Sequence, residues 1–155
     1  MSRFTEMLVV SPMADGRTWY LRKPFGYDVG TEGSGDTVDV PDGFMTDFAT
    51  VPRALWWLLP RWGRYGNAAV IHDFLYRDQK RTKKAADDIF LEAMQVLEVS
   101  WFEQRALYLA VRIFGRCAWN KRRRQKAKGL TVIADRPPVK CVELPAHICS
   151  KHPKG

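Results

Sequence analysis

The sequence predicts an α+β protein in which a small N-terminal antiparallel sheet packs on a bundle of about four helices. Three observations support this class: β-rich runs fill residues 6–48, helical apolar periodicity begins near residue 52, and prolines interrupt the chain after residue 129. We therefore expect one α+β domain over residues 1–129. An extended, basic and proline-rich C-terminal arm should follow over residues 130–155.

The N-terminal part contains three runs that are typical of strands. They are EMLVV, RTWYLRKPF and DTVDVPDGF, and the segments ADG and GTEGSGD separate them. β-branched and aromatic residues favour a pleated backbone, whereas glycine and aspartate favour turns. Because short connections join antiparallel neighbours, these runs predict one small antiparallel sheet.

Four helices are predicted after the sheet, over residues of about 52–59, 67–78, 82–98 and 100–123. Pro52 fits the first turn of the first helix, and Thr82 is a suitable N-cap for the third. Ser100 and Glu103 form a capping box for the fourth. Apolar side chains occupy nearly every direction around the second helix, so we expect it to be central and buried.

The composition limits the classes of protein that the chain can represent. An apolar fraction of 46% and an aromatic fraction of 12% argue against disorder over most of the length. No run approaches the roughly 20 apolar residues of a membrane span, and the N-terminus does not resemble a signal peptide. Three cysteines at no familiar spacing argue against a disulfide framework.

The second and third helices carry the main candidate for a chemical site. Helical spacing places Asp87 at the edge of an apolar stripe and directs Asp88 to water. If the two helices pack antiparallel, Asp87 faces His72. A carboxylate that accepts one N–H of a histidine fixes its tautomer, so the other nitrogen can deprotonate water. The oxygens of Asp73, one residue further on, suit a calcium ion.

These residues also have structural interpretations. A buried histidine that is hydrogen-bonded to a carboxylate can stabilise a core without any reaction, so His72 and Asp87 would then form a core network. Asp47 lies between a predicted strand and a predicted helix. A side chain at such a position either reaches a cleft or caps the helix, and Thr50 could also serve as the cap.

The motifs HDFLY and ADDIF resemble the paired helices of phospholipase A2, especially the compact viral and bacterial versions. In that family the histidine is the general base, the adjacent aspartate binds calcium, and the later aspartate orients the histidine. The resemblance implies these roles for His72, Asp73 and Asp87, in that order. It implies a supporting hydrogen bond from Tyr76, a calcium cofactor and a membrane lipid substrate.

A longer set of motifs resembles the phage and prophage family called domain of unknown function 1353. The motifs run from about Val40 to Trp119 and are, in order, VPDGFMTDFATVPRALWWLLP, YGNAAVIHDFLY, ADDIFLEAM and AVRIFGRCAW. The resemblance implies a bacteriophage origin. It also adds the segment TDFAT to the candidate site, with Asp47 as a second metal ligand and Thr46 as a supporting residue.

The fourth helix carries an aromatic and basic stripe at helical spacing, formed by Trp101, Arg105, Tyr108, Arg112 and Trp119. Aromatic and arginine side chains are enriched at the centres of interfaces. The stripe therefore predicts contacts with other phage virion proteins in an oligomeric assembly. The nearby run NKRRRQKAKG contributes to a net charge of +8 and would attract phosphate, anionic lipid or acidic protein.

Together these patterns predict a bacteriophage protein that is synthesised in the host cytoplasm and acts in the virion, near the tail or baseplate. Its site would be that of a calcium-dependent ester or phospholipid hydrolase. The alternative is a non-enzymatic structural or adaptor protein of the virion. A nucleic-acid-binding accessory protein is the third interpretation and ranks last, because the chain has no recognisable nucleic-acid-binding motif.

Overall fold

The computed structural model describes residues 2–15, 18–47 and 64–129. Within these ranges the chain forms short strands followed by three helices, which confirms the predicted α+β class. The predicted helix at residues 52–59 and the predicted C-terminal arm lie outside the described residues. None of the helices in the described ranges combines the length and apolarity that crossing a membrane requires.

The strands form two antiparallel sheets of three strands each, where one sheet was predicted. The first sheet has the order β1-β4-β5 and contains β1 (Arg3–Phe4), β4 (Phe25–Asp28) and β5 (Thr37–Val40). The second has the order β2-β3-β6 and contains β2 (Val10–Pro12), β3 (Trp19–Leu21) and β6 (Met45–Thr46). The run RTWYLRKPF divides between the two sheets. Pro24 separates β3 from β4, and proline cannot donate a hydrogen bond to a strand ladder.

The three described helices lie close to their predicted bounds. They are α1 (Gly66–Asp78), α2 (Lys83–Val96) and α3 (Trp101–Ala127). Thr82 caps α2 by accepting a hydrogen bond from the Ala85 N–H, and the predicted capping box opens α3. The last helix continues beyond its predicted end because the basic segment there consists mainly of good helix formers.

The central helix is α1, as its all-round apolarity predicted. It packs against both α2 and α3, and it also contacts β5 and β6. Ala68, Val70 and Ile71 are completely buried. All four residues of β4 are buried, and its Phe25 and Tyr27 belong to the same hydrophobic core as the buried residues of α1.

Glu92 of α2 ties the helices to the first sheet. Its Oε1 accepts hydrogen bonds from the Tyr27 hydroxyl at 2.9 Å and from the Gly30 N–H at 2.8 Å. In a Glu92→Ala variant the Tyr27 hydroxyl would lose this acceptor. Because Tyr27 is completely buried, water would not readily replace it.

We expect Glu92→Ala to lower the free energy of unfolding by about 1–3 kcal/mol, as measured by urea denaturation. Glu92→Gln keeps an acceptor oxygen and should lose less than half as much. Equal losses in the two variants would contradict a role for this oxygen.

Candidate functional site

His72 and Asp87 meet in the core between α1 and α2. Nε2 of His72 lies 3.1 Å from Oδ1 of Asp87, and the two side chains are 2% and 0% exposed. Gln79 ends α1 in the left-handed conformation, with φ of 51°, and a short turn leads to α2. The contact that helical spacing predicted is therefore present.

Asp87 is surrounded by hydrogen-bond donors. The Tyr76 hydroxyl donates to its Oδ1 at 2.6 Å, the Lys83 ammonium donates to its Oδ2 at 2.7 Å, and Nη1 of Arg112 lies 3.5 Å from Oδ2. Burial is the largest single influence and favours the neutral acid. The hydrogen bonds from His72, Lys83 and Tyr76 nevertheless outweigh it and lower the pKa of Asp87. Asp87 is therefore ionised at neutral pH.

This charge assigns the tautomer of His72. Since an ionised carboxylate only accepts hydrogen bonds, Nε2 carries a proton, and the tautomer of an uncharged ring has its lone pair on Nδ1. Nδ1 is buried and has no hydrogen-bond partner among the residues that the structure describes. The ring lies between Tyr76 and Phe90, at centroid distances of 4.1 and 4.7 Å, so packing fixes its plane.

A cavity of about 380 Å³ adjoins His72, Asp73 and Tyr76 of α1. Its other wall is α3, where the lining is apolar at Val111 and Phe114 and becomes basic further along the helix. A cavity that combines apolar walls with a few polar groups is typical of small-molecule sites. The candidate base and this space are therefore next to each other.

Thr46 and Asp47, at the end of the second sheet, lie next to the same cavity. Thr46 is completely buried at the end of β6, and its hydroxyl donates to Oδ2 of Asp73 at 2.6 Å. Asp47 follows and lines the cavity together with Asp73. Nη2 of Arg77 lies 4.0 Å from Oδ1 of Asp47. The structure thus places Asp47, His72 and Asp73 on one cavity, while Thr46 bonds Asp73 and Asp87 bonds His72.

The family described as "Protein of unknown function (DUF1353)" matches residues 19–111, well over half of the chain. The chain belongs to this family. The match extends from β3 into α3 and includes both members of the His–Asp pair, which confirms the family resemblance drawn from the motifs. None of the curated proteins or solved structures compared with the chain matches it. The likeness to phospholipase A2 rests on its two short motifs.

The described residues of this DUF1353 protein do not assemble a complete calcium site. Calcium takes six to eight oxygen ligands. Asp47 and Asp73 offer carboxylates, but Arg77 lies beside the first and Thr46 already bonds the second. Within the described ranges, no group of three or more histidine, cysteine or acidic side chains could hold a metal. Calcium binding stays a prediction.

The predicted interface stripe on α3 is only partly at the surface. Trp101 is 61% exposed, and the Arg105 guanidinium lies 5.8 Å from its ring centroid. Arg112 packs over Tyr108 in the same way, at 6.0 Å, and also approaches Asp87. Trp119 is half-buried and packs edge-on against Tyr76 at 5.1 Å, so it does not lie on the exposed part of the stripe.

Tyr108 hydrogen-bonds Asp88, the carboxylate that was predicted to point to water. Asp88 is 41% exposed and also accepts a hydrogen bond from Lys84 at 2.6 Å. A role of the stripe in binding other proteins stays a prediction.

Sequence reasoning missed two residues of the site. Lys83 bonds both Asp87 and the Val111 carbonyl, at 2.7 and 2.9 Å, and thereby connects α2 to α3. Gly115 lets α3 approach, because a Cβ atom there would lie 2.5 Å from the Tyr76 hydroxyl oxygen. The four-residue spacing of Lys83 and Asp87 could have indicated their pairing. A glycine inside a long helix could have indicated a close contact.

Proposed function

We propose that the protein is a hydrolase in which His72 is the general base toward an ester substrate. The observation that carries the proposal is the buried Nδ1 lone pair, on a ring that lines a cavity and whose tautomer an ionised Asp87 fixes. A catalytic base needs a fixed orientation, a lone pair that no other group of the protein occupies, and space beside its ring. The arrangement therefore favours a hydrolase over a protein in which the His–Asp pair is only a structural network.

In the proposed reaction, Nδ1 of His72 takes a proton from a water molecule while the water oxygen bonds to the electrophilic atom of the ester. Asp87 stabilises the resulting imidazolium and holds its orientation. As the ester bond breaks, the imidazolium returns the proton to the departing oxygen. The products are an acid and an alcohol, and His72 is restored to its starting tautomer.

The setting of this reaction in a bacteriophage virion, near the tail or baseplate, is part of the proposal. It is supported by the motif resemblance and by the exposed apolar side chains along α3, which are Trp101, Phe102, Leu109, Ile113 and Phe114. Monomeric proteins seldom expose so many large apolar side chains on one element, and such surfaces commonly contact other proteins. An ester hydrolase in that setting would help to open a cell envelope.

A structural or adaptor role is the second candidate function. It is favoured by the number of donors around Asp87, because they connect all three described helices: Tyr76 lies on α1, Lys83 on α2 and Arg112 on α3. Such a network can specify a core without any reaction. In that case substitution of His72 would change stability while no turnover was lost.

The experiment that tests the proposal is fatty-acid release from phosphatidylglycerol vesicles, measured with calcium and with EDTA. We expect release by the parent protein and a loss of about 100- to 10,000-fold in His72→Gln, the range that general-base catalysis supplies. Lys84→Ala is the control, because Lys84 is 70% exposed and pairs with Asp88 outside the cavity.

Circular dichroism would verify that each variant is folded. Equal rates in the parent and His72→Gln would reject the general-base role. If the folded parent releases no fatty acid, the same comparison with soluble p-nitrophenyl esters decides between another ester substrate and the structural role.

A further inference from the structure

A second cavity continues the first along α3. It has a volume of about 580 Å³ and shares Cys117 and Lys121 with the cavity beside His72. Its lining then follows α3 through Arg124 to Lys128. Because these residues recur every three or four positions, they lie on one side of the helix. The two cavities therefore adjoin along α3, and we call them together the α3 groove; the described lining of the second cavity comes from α3 and its C-cap alone.

The chemistry of the α3 groove changes along its length. Near His72 its α3 wall consists of small or apolar residues, from Ala110 through Phe114 to Ala118. Beyond Ala118 the wall becomes basic, beginning with Lys121. At a rise of about 1.5 Å per residue, Phe114 and Arg124 lie roughly 15 Å apart along the helix. The groove thus has an apolar α3 wall beside the base, in a cavity that Asp47 and Asp73 also line, and a cationic half further away.

The cations of the cationic half differ from several other basic residues of the described chain in that no described aspartate or glutamate pairs with them. Arg81, Lys83 and Lys84 are each paired with an aspartate. The ion pairs that the described residues form include none of Lys121, Arg124 and Lys128, the three cations of the α3 groove. α3 has no acidic residue after Glu103.

One further arginine is oriented at the junction of the two halves. Nη1 of Arg122 donates to Oε1 of Gln125 at 3.2 Å, and these two residues line the first and the second cavity respectively. Unpaired cations along a concave surface attract anions more strongly than isolated surface charges do.

We propose that Lys121, Arg124 and Lys128 form a phosphate-binding subsite, and that the substrate is a phosphate-bearing ester with an apolar part. Phosphate carries up to two negative charges and several acceptor oxygens, which suit three neighbouring cations. The apolar part of the substrate lies along the wall at Phe114, which brings its ester bond toward His72. The reaction assigned to this ligand rests on the proposed function, whereas the binding of phosphate does not.

The test is an isothermal titration calorimetry experiment in which inorganic phosphate is added to the full chain. Lys121 and Arg124 are both exposed. We expect saturable binding, and a weakening of about fivefold for each of Lys121→Ala and Arg124→Ala, which corresponds to about 1 kcal/mol, the upper end of the range for an exposed charge pair. Arg123→Ala is the matched control, because Arg123 is exposed on the same helix and lines neither cavity. Absence of saturable binding, or equal losses in all three variants, would overturn the subsite.

Two further ligands identify the source of the phosphate. Glycerol phosphate represents a water-soluble ester, and monomeric dihexanoyl phosphatidylglycerol represents a lipid headgroup with its apolar chains. Tighter binding of the lipid that weakens in Phe114→Ser supports the subsite and assigns a lipid source. Equal binding of the two ligands supports the subsite and assigns a soluble phosphate ester.

A single-stranded oligonucleotide tests the competing partner. Nucleic-acid binding should fall steeply with salt and should use every cation of the basic segment. If the oligonucleotide binds more tightly than the small phosphates and Arg123→Ala weakens it as much as Arg124→Ala does, the proposed subsite is wrong.

The subsite and the hydrolase can fail independently. His72→Gln should bind inorganic phosphate as the parent does, since the described hydrogen bonds and ion pairs of His72 include none of the three cations. Phosphate binding without ester hydrolysis would reject the proposed function and retain the subsite. Hydrolysis without phosphate binding would do the reverse.

Discussion

Replacing Asp87 with alanine is expected to lower the free energy of unfolding by about 3–5 kcal/mol, the usual cost of removing one member of a buried ion pair. The carboxylate is completely buried and accepts hydrogen bonds from His72, Tyr76 and Lys83. Without it His72 and Tyr76 lose the acceptor of these hydrogen bonds, and Lys83 keeps the Val111 carbonyl but loses its counterion. Urea denaturation, monitored by circular dichroism, measures this loss in the free energy of unfolding.

Asp88→Ala is the matched control for this prediction. Asp88 is the next residue of α2, but it is 41% exposed and its ion pair with Lys84 is at the surface. Exposed ion pairs contribute about 0.2–1 kcal/mol, so the control should lose at most about that amount. A loss in Asp87→Ala that does not exceed the loss in Asp88→Ala would show that the network around Asp87 does not stabilise the fold.

The lowered pKa of Asp87 gives the same prediction a dependence on pH. A carboxyl whose pKa is lower in the folded chain stabilises the fold fully above its unfolded pKa of about 3.9. That contribution is lost as the pH falls through the folded pKa. The stability of Asp87→Asn should therefore decline less than that of the parent when denaturation at pH 7 is compared with denaturation at pH 3.

Gly115→Ala is expected to destabilise the protein by about 1–3 kcal/mol, although alanine is normally the better helix former. At an unobstructed helix position the exchange stabilises by roughly 1 kcal/mol. At Gly115 the new methyl group would lie 2.5 Å from the Tyr76 hydroxyl oxygen and 3.2 Å from Nζ of Lys83. Tyr76 is packed between His72 and Trp119, so its ring cannot move freely. Overpacking should therefore outweigh the gain in helix propensity.

Gly66→Ala provides a control of the same chemical type. Gly66 begins α1, and within the described residues a Cβ atom there would meet nothing within 4 Å beyond its chain neighbours and the backbone of its own helix. Thermal denaturation should show an unchanged or higher melting temperature for Gly66→Ala and a lower one for Gly115→Ala. Equal shifts of the same sign would contradict the close approach of α3 to Tyr76.

Substitution of Gly115 should also disturb the candidate site. If the Tyr76 hydroxyl is forced away from Asp87, the carboxylate loses the shortest of its described hydrogen bonds, that of 2.6 Å. The side-chain resonances of His72 in an NMR spectrum should then shift in Gly115→Ala and stay in place in Gly66→Ala.

The features that depend on neighbouring residues could be predicted from the sequence. The bounds of α1 and α2, the N-cap at Thr82 and the capping box at Ser100 follow from helical periodicity and from local hydrogen bonds. The facing of His72 and Asp87 follows from the same angular spacing and from the short turn between their helices. The family followed from motifs in a fixed order.

The contacts between segments that are distant in the sequence could not be predicted in this way and required the folded structure. It divided the strands into two sheets, because pairing depends on partners far along the chain, such as Phe25 with Val40. It brought Arg112 and Gly115 of α3 against the His–Asp pair and turned Trp119 inward to Tyr76. Local periodicity gives the side of a helix on which a residue lies, but the neighbour that covers that side is set by the packing of the whole core.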